Sequence, residues 1–297
     1  MRLQGLLASA FATLVWVLAG CAPQQHETKS VNIGEVRANL ETVAAARVLL
    51  GHQSVGRNIL AGVQTLSTEA GVPIRIVEVD GAPADDGPGL FHSNIGRNGD
   101  PGSKCEVFEH LLLRPERPQY DLAMMKFCYV DLQRDTAQEV EAMLARYDRV
   151  VERLAEQRPD VRLVHISLPL RTHGTGWRSK VKRIIGRDIP GDDDNVLRNA
   201  FNDGLRARYG DEPFFDLARL ESTHADGSRS AFRSNGREIY TLAREYTSDG
   251  GHFNAAGQRV MAAEFLRTLA RSLRDRAGAQ LSSASGTSQT GSISTAE

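Results

Sequence analysis

Between Val48 and Leu273 short β-rich runs alternate with amphipathic helical runs, and this alternation limits the possible folds more than any other feature of the chain. The strand-like runs are Val48–Leu50, Pro73–Val79, Asp121–Val130, Val161–Leu168 and Phe214–Leu217. Between them, Ile59, Leu60, Val63 and Leu66 recur at helical spacing up to Gly71. Lys104–Leu113 reads as a helix stopped by Pro115, and Val196–Tyr209 as another. Thr136–Gln157 keeps Val140, Met143, Leu144, Tyr147, Val150, Val151 and Leu154 on one face, and Ala255–Leu273 closes the series. Repeated β–α units of this length give a mostly parallel sheet with helices on both faces, so the fold class predicted is α/β. Asp121–Val130 is almost uninterrupted apolar sequence, as suits a strand covered on both sides. Ligands of such sheets bind beyond the carboxyl ends of the strands. Ser54, the Gly81–Gly102 loop, Cys128–Asp131 and the residues after Pro169 all follow strands and are expected along one edge.

Both ends of the chain stand apart from this pattern. Arg2 precedes an apolar run, Leu6–Leu18, too short for a membrane span, and Leu18-Ala19-Gly20-Cys21 follows at once. This resembles the lipobox of bacterial lipoproteins, which implies lipidation of Cys21 and a lipid-anchored chain in the cell envelope. Ala22, where retained lipoproteins carry Asp, implies the periplasmic face of the outer membrane. The expected division is a signal peptide over 1–20, a polar tether over 21–32, one domain over 33–276, and a Ser/Thr/Gly-rich tail over 277–297, expected to be disordered. With 41% hydrophobic and 25% charged residues and a net charge of -1, bulk charge offers nucleic acid nothing to bind. Cys105 and Cys128 either pair in an oxidising compartment or remain two buried thiols. They form no CxxC and no Cys/His cluster, so no metal and no cofactor are expected.

Gly51-His52-Gln53-Ser54-Val55-Gly56 turns the chain from its first strand into a helix. A serine there meets free N–H groups and the positive end of a helix dipole, which suits a nucleophile whose reaction develops an oxyanion. It also suits a plain N-cap. Almost two hundred residues later, Asp249-Gly250-Gly251-His252 precedes the last helix. In a tight turn the carboxylate can hold one imidazole nitrogen and leave the other outward, which is what a serine needs as its base. A serine at the first strand's end together with Asp-x-x-His before the last helix resembles the SGNH/GDSL hydrolases.

That resemblance implies a flavodoxin-like three-layer α/β/α sandwich, with Ser54 as nucleophile, His252 as base and Asp249 as its partner. It implies ester hydrolysis or O-acyl transfer on a small-molecule or glycan ester, such as O-acetyl groups of a cell-surface glycan. Two departures are visible. The family's Gly-Asp-Ser is here His52-Gln53-Ser54, and its oxyanion asparagine is missing from Lys126–Asp131. The oxyanion donors expected are the N–H of Ser54, a glycine from Gly96 or Gly99, and Asn98 or Asn94 in place of the asparagine. His52 is a candidate to take over the work of the absent aspartate. Trp177 and Arg178, in a basic loop over Thr172–Asp188, are candidates for sugar contacts. Asn235-Gly236 predicts a hairpin across Phe232–Tyr240. The altered motif also fits a second class of function, a decayed cleft that binds a glycan or partner without chemistry.

Overall fold

The computed structural model describes residues 29–79, 87–114, 119–133, 135–174 and 192–287. The expected signal peptide, Cys21, Trp177 and Arg178 lie outside them. Helix α1 (Ile33–Ala44) leads into strand β1 (Arg47–His52), helix α2 (Ser54–Ala70), and strands β2 (Ile76–Glu78) and β3 (Gly89–Asn94). Helix α3 (Pro101–Leu113), β4 (Leu122–Met125), α4 (Ala137–Gln157), β5 (Arg162–Leu163) and β6 (His165–Ile166) follow. Then come α5 (Asp192–Tyr209), β7 (Phe214–Phe215), α6 (Leu217–Ser222), the pair β8 (Ala231–Ser234) and β9 (Arg237–Tyr240), and α7 (Ala255–Thr287).

The central sheet has the order β2-β3-β1-β4-β5, with every pairing parallel. β5 and β6 are one stretch of chain broken at Val164, and β6 pairs parallel with β7, so the sheet continues outward through that stretch. Alternate residues of each strand feed opposite cores. Val48 and Leu50 pack with α1, α2 and α7, while Leu49, Phe91 and Met125 pack with α3, α4 and α5. The result is the three-layer α/β/α sandwich expected, with β1 near the middle and Ser54 at its carboxyl end.

Several boundaries differ from the sequence expectation. α1 was not anticipated: Asn32 caps it through bonds from the N–H groups of Gly34 and Glu35, and Val36, Leu40 and Val43 bury its one apolar stripe. The run Asp121–Val130 is a strand only to Met125, because Asp131 accepts the Cys128 N–H and pulls the chain into a 3-10 turn over Tyr129–Asp131. Asp192, Asp193 and Asp194 form the first turn of α5, where carboxylates complement the helix dipole. The last helix continues to Thr287, into the stretch expected to be a disordered tail. Asn235 and Gly236 take the positive φ angles expected of the hairpin. Cys105 and Cys128 are free, buried thiols, and burial pushes the Cys105 pKa up to about 12.

One buried group makes stability depend on pH. Glu221 in α6 is fully buried; one carboxyl oxygen accepts the Leu170 N–H and the other has no hydrogen-bond partner among the described residues. Burial pushes its pKa up from 4.5 to about 8, against the pull of the Leu170 N–H and of Lys126. Its protonated form therefore contributes stability that is full below about 4.5 and lost as pH rises through about 8. Glu221→Gln should flatten this part of the profile, making the variant more stable than the parent at alkaline pH by on the order of a few kcal/mol. Urea titrations of both proteins at mildly acid and mildly alkaline pH measure the difference; a difference that does not change with pH contradicts it.

Candidate active site

Ser54 occupies the first position of α2, directly beyond β1. Gln53 is the N-cap, but its side chain does not cap; its carbonyl accepts the N–H groups of Gly56 and Arg57. The side-chain Nε2 of Gln53 reaches the next loop instead and donates to the carbonyls of Ile95 (2.9 Å) and Gly96 (3.0 Å). The Ser54 N–H has no acceptor among the described residues, as follows from its place in the first turn of a helix.

His252 comes from the turn before α7. Asp249 organises that turn: its Oδ1 accepts the N–H of Gly251 (2.9 Å) and of His252 (2.8 Å), and the Thr247 hydroxyl at 3.3 Å. Those bonds, the His252 N–H foremost, hold the Asp249 carboxyl well below the usual carboxylate range. Its Oδ2 lies 2.6 Å from His252 Nδ1, which fixes the tautomer with Nδ1 protonated. The Phe253 N–H donates to Asn58 Oδ1 at 3.2 Å, pinning the turn to α2 one helical turn beyond Ser54. His252 Nε2 consequently lies 3.0 Å from Ser54 Oγ. Hydroxyl, imidazole and carboxylate thus form one continuous relay.

Two loops face Ser54 from neighbouring strands. After β3 the chain turns at Gly96 (φ 53°), where a Cβ would lie 2.5 Å from the Lys104 nitrogen and 2.6 Å from the Ser103 carbonyl carbon, so only glycine fits. The Gly96 N–H has no acceptor among the described residues, and its carbonyl is tied to Gln53, so it can join the Ser54 N–H in an oxyanion hole. The loop is braced from below by a buried ion pair. Lys104 and Asp131, both with fully buried side chains, meet at 2.6 Å. Asp131 also accepts the N–H of Gly99 (2.9 Å) and of Cys128 (2.7 Å), so one carboxylate links the turns after β3 and β4.

This network changes three assignments. Gly99 cannot serve as an oxyanion donor, because its N–H is committed to Asp131. Asn94 is likewise occupied, accepting from Arg57 and donating to Glu78. Asn98 accepts from Lys104 at 3.2 Å through its oxygen, which leaves its NH2 group as the donor. His52 is fully buried and touches no open surface: Nδ1 lies 2.8 Å from the Gln53 carbonyl and Nε2 3.1 Å from His92 Nδ1. Desolvation pushes its pKa down to about 4, which keeps the ring neutral. It is a structural residue rather than a substrate contact, and it is Gln53 that ties the Ser54 turn to the loop after β3.

Tyr129 and Arg171 were not singled out from sequence. The Tyr129 hydroxyl is 3.4 Å from His252 Nε2, and the Arg171 guanidinium lies over the Tyr129 ring at 5.1 Å. Tyr129 follows β4, within the Cys128–Asp131 stretch expected along the site edge, which was the available signal.

A second Ser–His–carboxylate relay provides a contrast. Ser230 Oγ is 3.0 Å from His224 Nε2, and His224 Nδ1 is 2.5 Å from Glu245. Ser230, however, gives its own N–H to the Ser222 carbonyl at 2.7 Å and begins no helix. The N–H of Ser230 is therefore not open to an oxyanion, whereas that of Ser54 is, and this sets Ser54 apart.

No family model and no curated protein matches the sequence. Among solved structures, the chain is similar in fold to a peptidoglycan O-acetylesterase (TM-score 0.48, 10% identity, 84% of this chain and 99% of that one). It is also similar to an acetyl xylan esterase (TM-score 0.43, 14% identity, 74% and 97%). A third is a protein described as a GDSL-like lipase from Parabacteroides merdae (TM-score 0.41, 13% identity, 75% and 95%).

Proposed function

We propose that this chain is a serine ester hydrolase of the SGNH type, acting through Ser54, His252 and Asp249. The observation that carries the reading is the unbroken relay from Asp249 to Ser54, ending at a helix N-terminus whose first N–H is open. In this reading Ser54 Oγ attacks the acyl carbon and passes its proton to His252 Nε2. Asp249 holds the imidazole in position and stabilises the imidazolium that forms. The N–H groups of Ser54 and Gly96, with the amide of Asn98, receive the oxyanion. Water or a sugar hydroxyl then takes the acyl group from Ser54, completing hydrolysis or transfer.

The resemblance of Leu18-Ala19-Gly20-Cys21 to a lipobox supports a lipid anchor at Cys21, proposed to lie on the periplasmic face of the outer membrane, within reach of envelope glycans. O-acetyl groups on such a glycan are the proposed substrate. Trp177 and Arg178, which follow β6 in sequence, keep their proposed role in sugar contact. The Ser54 relay ends at an open helix N–H, which the Ser230 relay lacks, and this favours the enzyme over a decayed cleft. Acetate release should be measured from O-acetylated peptidoglycan, acetylated xylan and a small acetyl ester. Release from an acetylated polymer is expected. Turnover of the small ester without release from either polymer would contradict the glycan substrate and leave the hydrolase reading intact.

A further inference from the structure

We propose that Tyr129 is a catalytic residue whose hydroxyl hydrogen-bonds the departing oxygen of the ester, and later the attacking water, beside His252 Nε2. The inference rests on Ser54 and His252 acting as nucleophile and base. It begins with proton bookkeeping. The proton that Nε2 takes from Ser54 Oγ must pass to the leaving oxygen as the bond from acyl carbon to that oxygen breaks. The leaving oxygen therefore comes within about 2.6–3.2 Å of Nε2. A ring nitrogen has a single lone-pair direction, so every group bonded to it crowds into one cone. Ser54 Oγ, at 3.0 Å, and the Tyr129 hydroxyl, at 3.4 Å, both lie in contact with that nitrogen. An oxygen arriving to collect the proton enters next to the phenol.

The surroundings fix the phenol there. The Tyr129 carbonyl accepts from Arg198 Nε at 2.8 Å, and the turn that carries it is held by Asp131. Arg171 covers the ring while its Nε donates to the Gly250 carbonyl at 3.3 Å, linking ring and His252 turn. A Cβ on Gly251 would lie 3.0 Å from the Tyr129 hydroxyl, so the turn sits directly on the ring. Burial raises the Tyr129 pKa, with Arg171 pulling it down, so the group remains a donor at neutral pH. In acylation the phenol keeps its own proton and donates a hydrogen bond to the oxygen that accumulates negative charge. The proton that neutralises that oxygen comes from His252. In deacylation the water loses its proton to Nε2 while the phenol holds the water's oxygen.

A group that assists the leaving oxygen matters only when that oxygen needs assistance. The test compares kcat/KM of the parent and Tyr129→Phe on 4-nitrophenyl acetate, phenyl acetate and alkyl or sugar acetates. A hydrogen bond to a charge-bearing oxygen is worth roughly ten- to a hundredfold, so the variant should lose about that on alkyl and sugar acetates. On 4-nitrophenyl acetate, whose leaving group departs unaided, it should stay within about twofold of the parent. Equal losses across the series would mean that Tyr129 only positions His252, and no loss anywhere would mean it is a bystander; either overturns the proposal. Thermal melts of both proteins, expected to coincide, show whether the variant folds as the parent does. If the parent itself turns over none of these esters, the hydrolase reading fails first, a result distinct from a flat loss in an active enzyme.

Discussion

Ser54→Ala should lower kcat on an acetyl ester by roughly 10⁴- to 10⁶-fold, the range typical of removing a catalytic serine. The side chain lost is one partly buried hydroxyl at the head of α2, bonded among the described residues only to His252, so the melting temperature should hardly move. The relay through Ser230 remains whole in this variant. Because the N–H of Ser230 is bonded to Ser222, that relay should supply no residual turnover. Activity within tenfold of the parent would remove Ser54 from the mechanism. Activity that then vanished on adding Ser230→Ala would move the chemistry to the second relay.

Lys104→Met is expected to have the largest effect on stability. It leaves the Asp131 carboxylate, fully buried, without its ion-pair partner and with only backbone N–H groups as direct partners among the described residues. Breaking one side of a buried ion pair typically costs about 3–5 kcal/mol, read here as a shift in the denaturation midpoint. Exchanging both partners for apolar residues, Lys104→Met with Asp131→Leu, should recover much of that stability, because neither charge is then stranded. It should not recover activity. Asp131 is also the acceptor that joins the Gly99 and Cys128 turns, and without it the Gly96 loop loses its brace. A double variant as active as the parent would show that the pair stabilises the fold without shaping the site. A single variant as stable as the parent would contradict the burial argument itself.

Features that depend on neighbouring residues were readable in the sequence. The alternation of β and α runs comes from the period of apolar residues and predicts the layered sheet. Asp249 and His252 are three residues apart, and the turn between them needs only local chemistry. The Asn235-Gly236 hairpin is equally local. What failed depended on partners that only folding brings together. Gln53 ties the Ser54 turn to the next loop through carbonyls 42 and 43 residues away. Gly99 passed as an oxyanion donor because the carboxylate occupying its N–H is 32 residues on. Tyr129 reaches an imidazole 123 positions later. His52 passed as a site residue because sequence does not show that its side chain turns inward between two strands. Helix α1 was overlooked because its three buried apolar residues, Val36, Leu40 and Val43, carry a faint period among polar and charged ones, although Asn32 marked its start. The extension of α7 escaped for the opposite reason: a Ser/Thr-rich composition reads as coil even where a long helix before it can propagate without a new nucleus.

If Ser54 is made nucleophilic by His252 beside an open helix N-terminus, a fluorophosphonate should find it in the intact protein. Labelling followed by peptide mapping should give a single adduct on Ser54, absent after His252→Ala, with Ser230 unmodified. An adduct on Ser230 instead, or a Ser54 that stays unmodified under conditions that label other serine hydrolases, would contradict it.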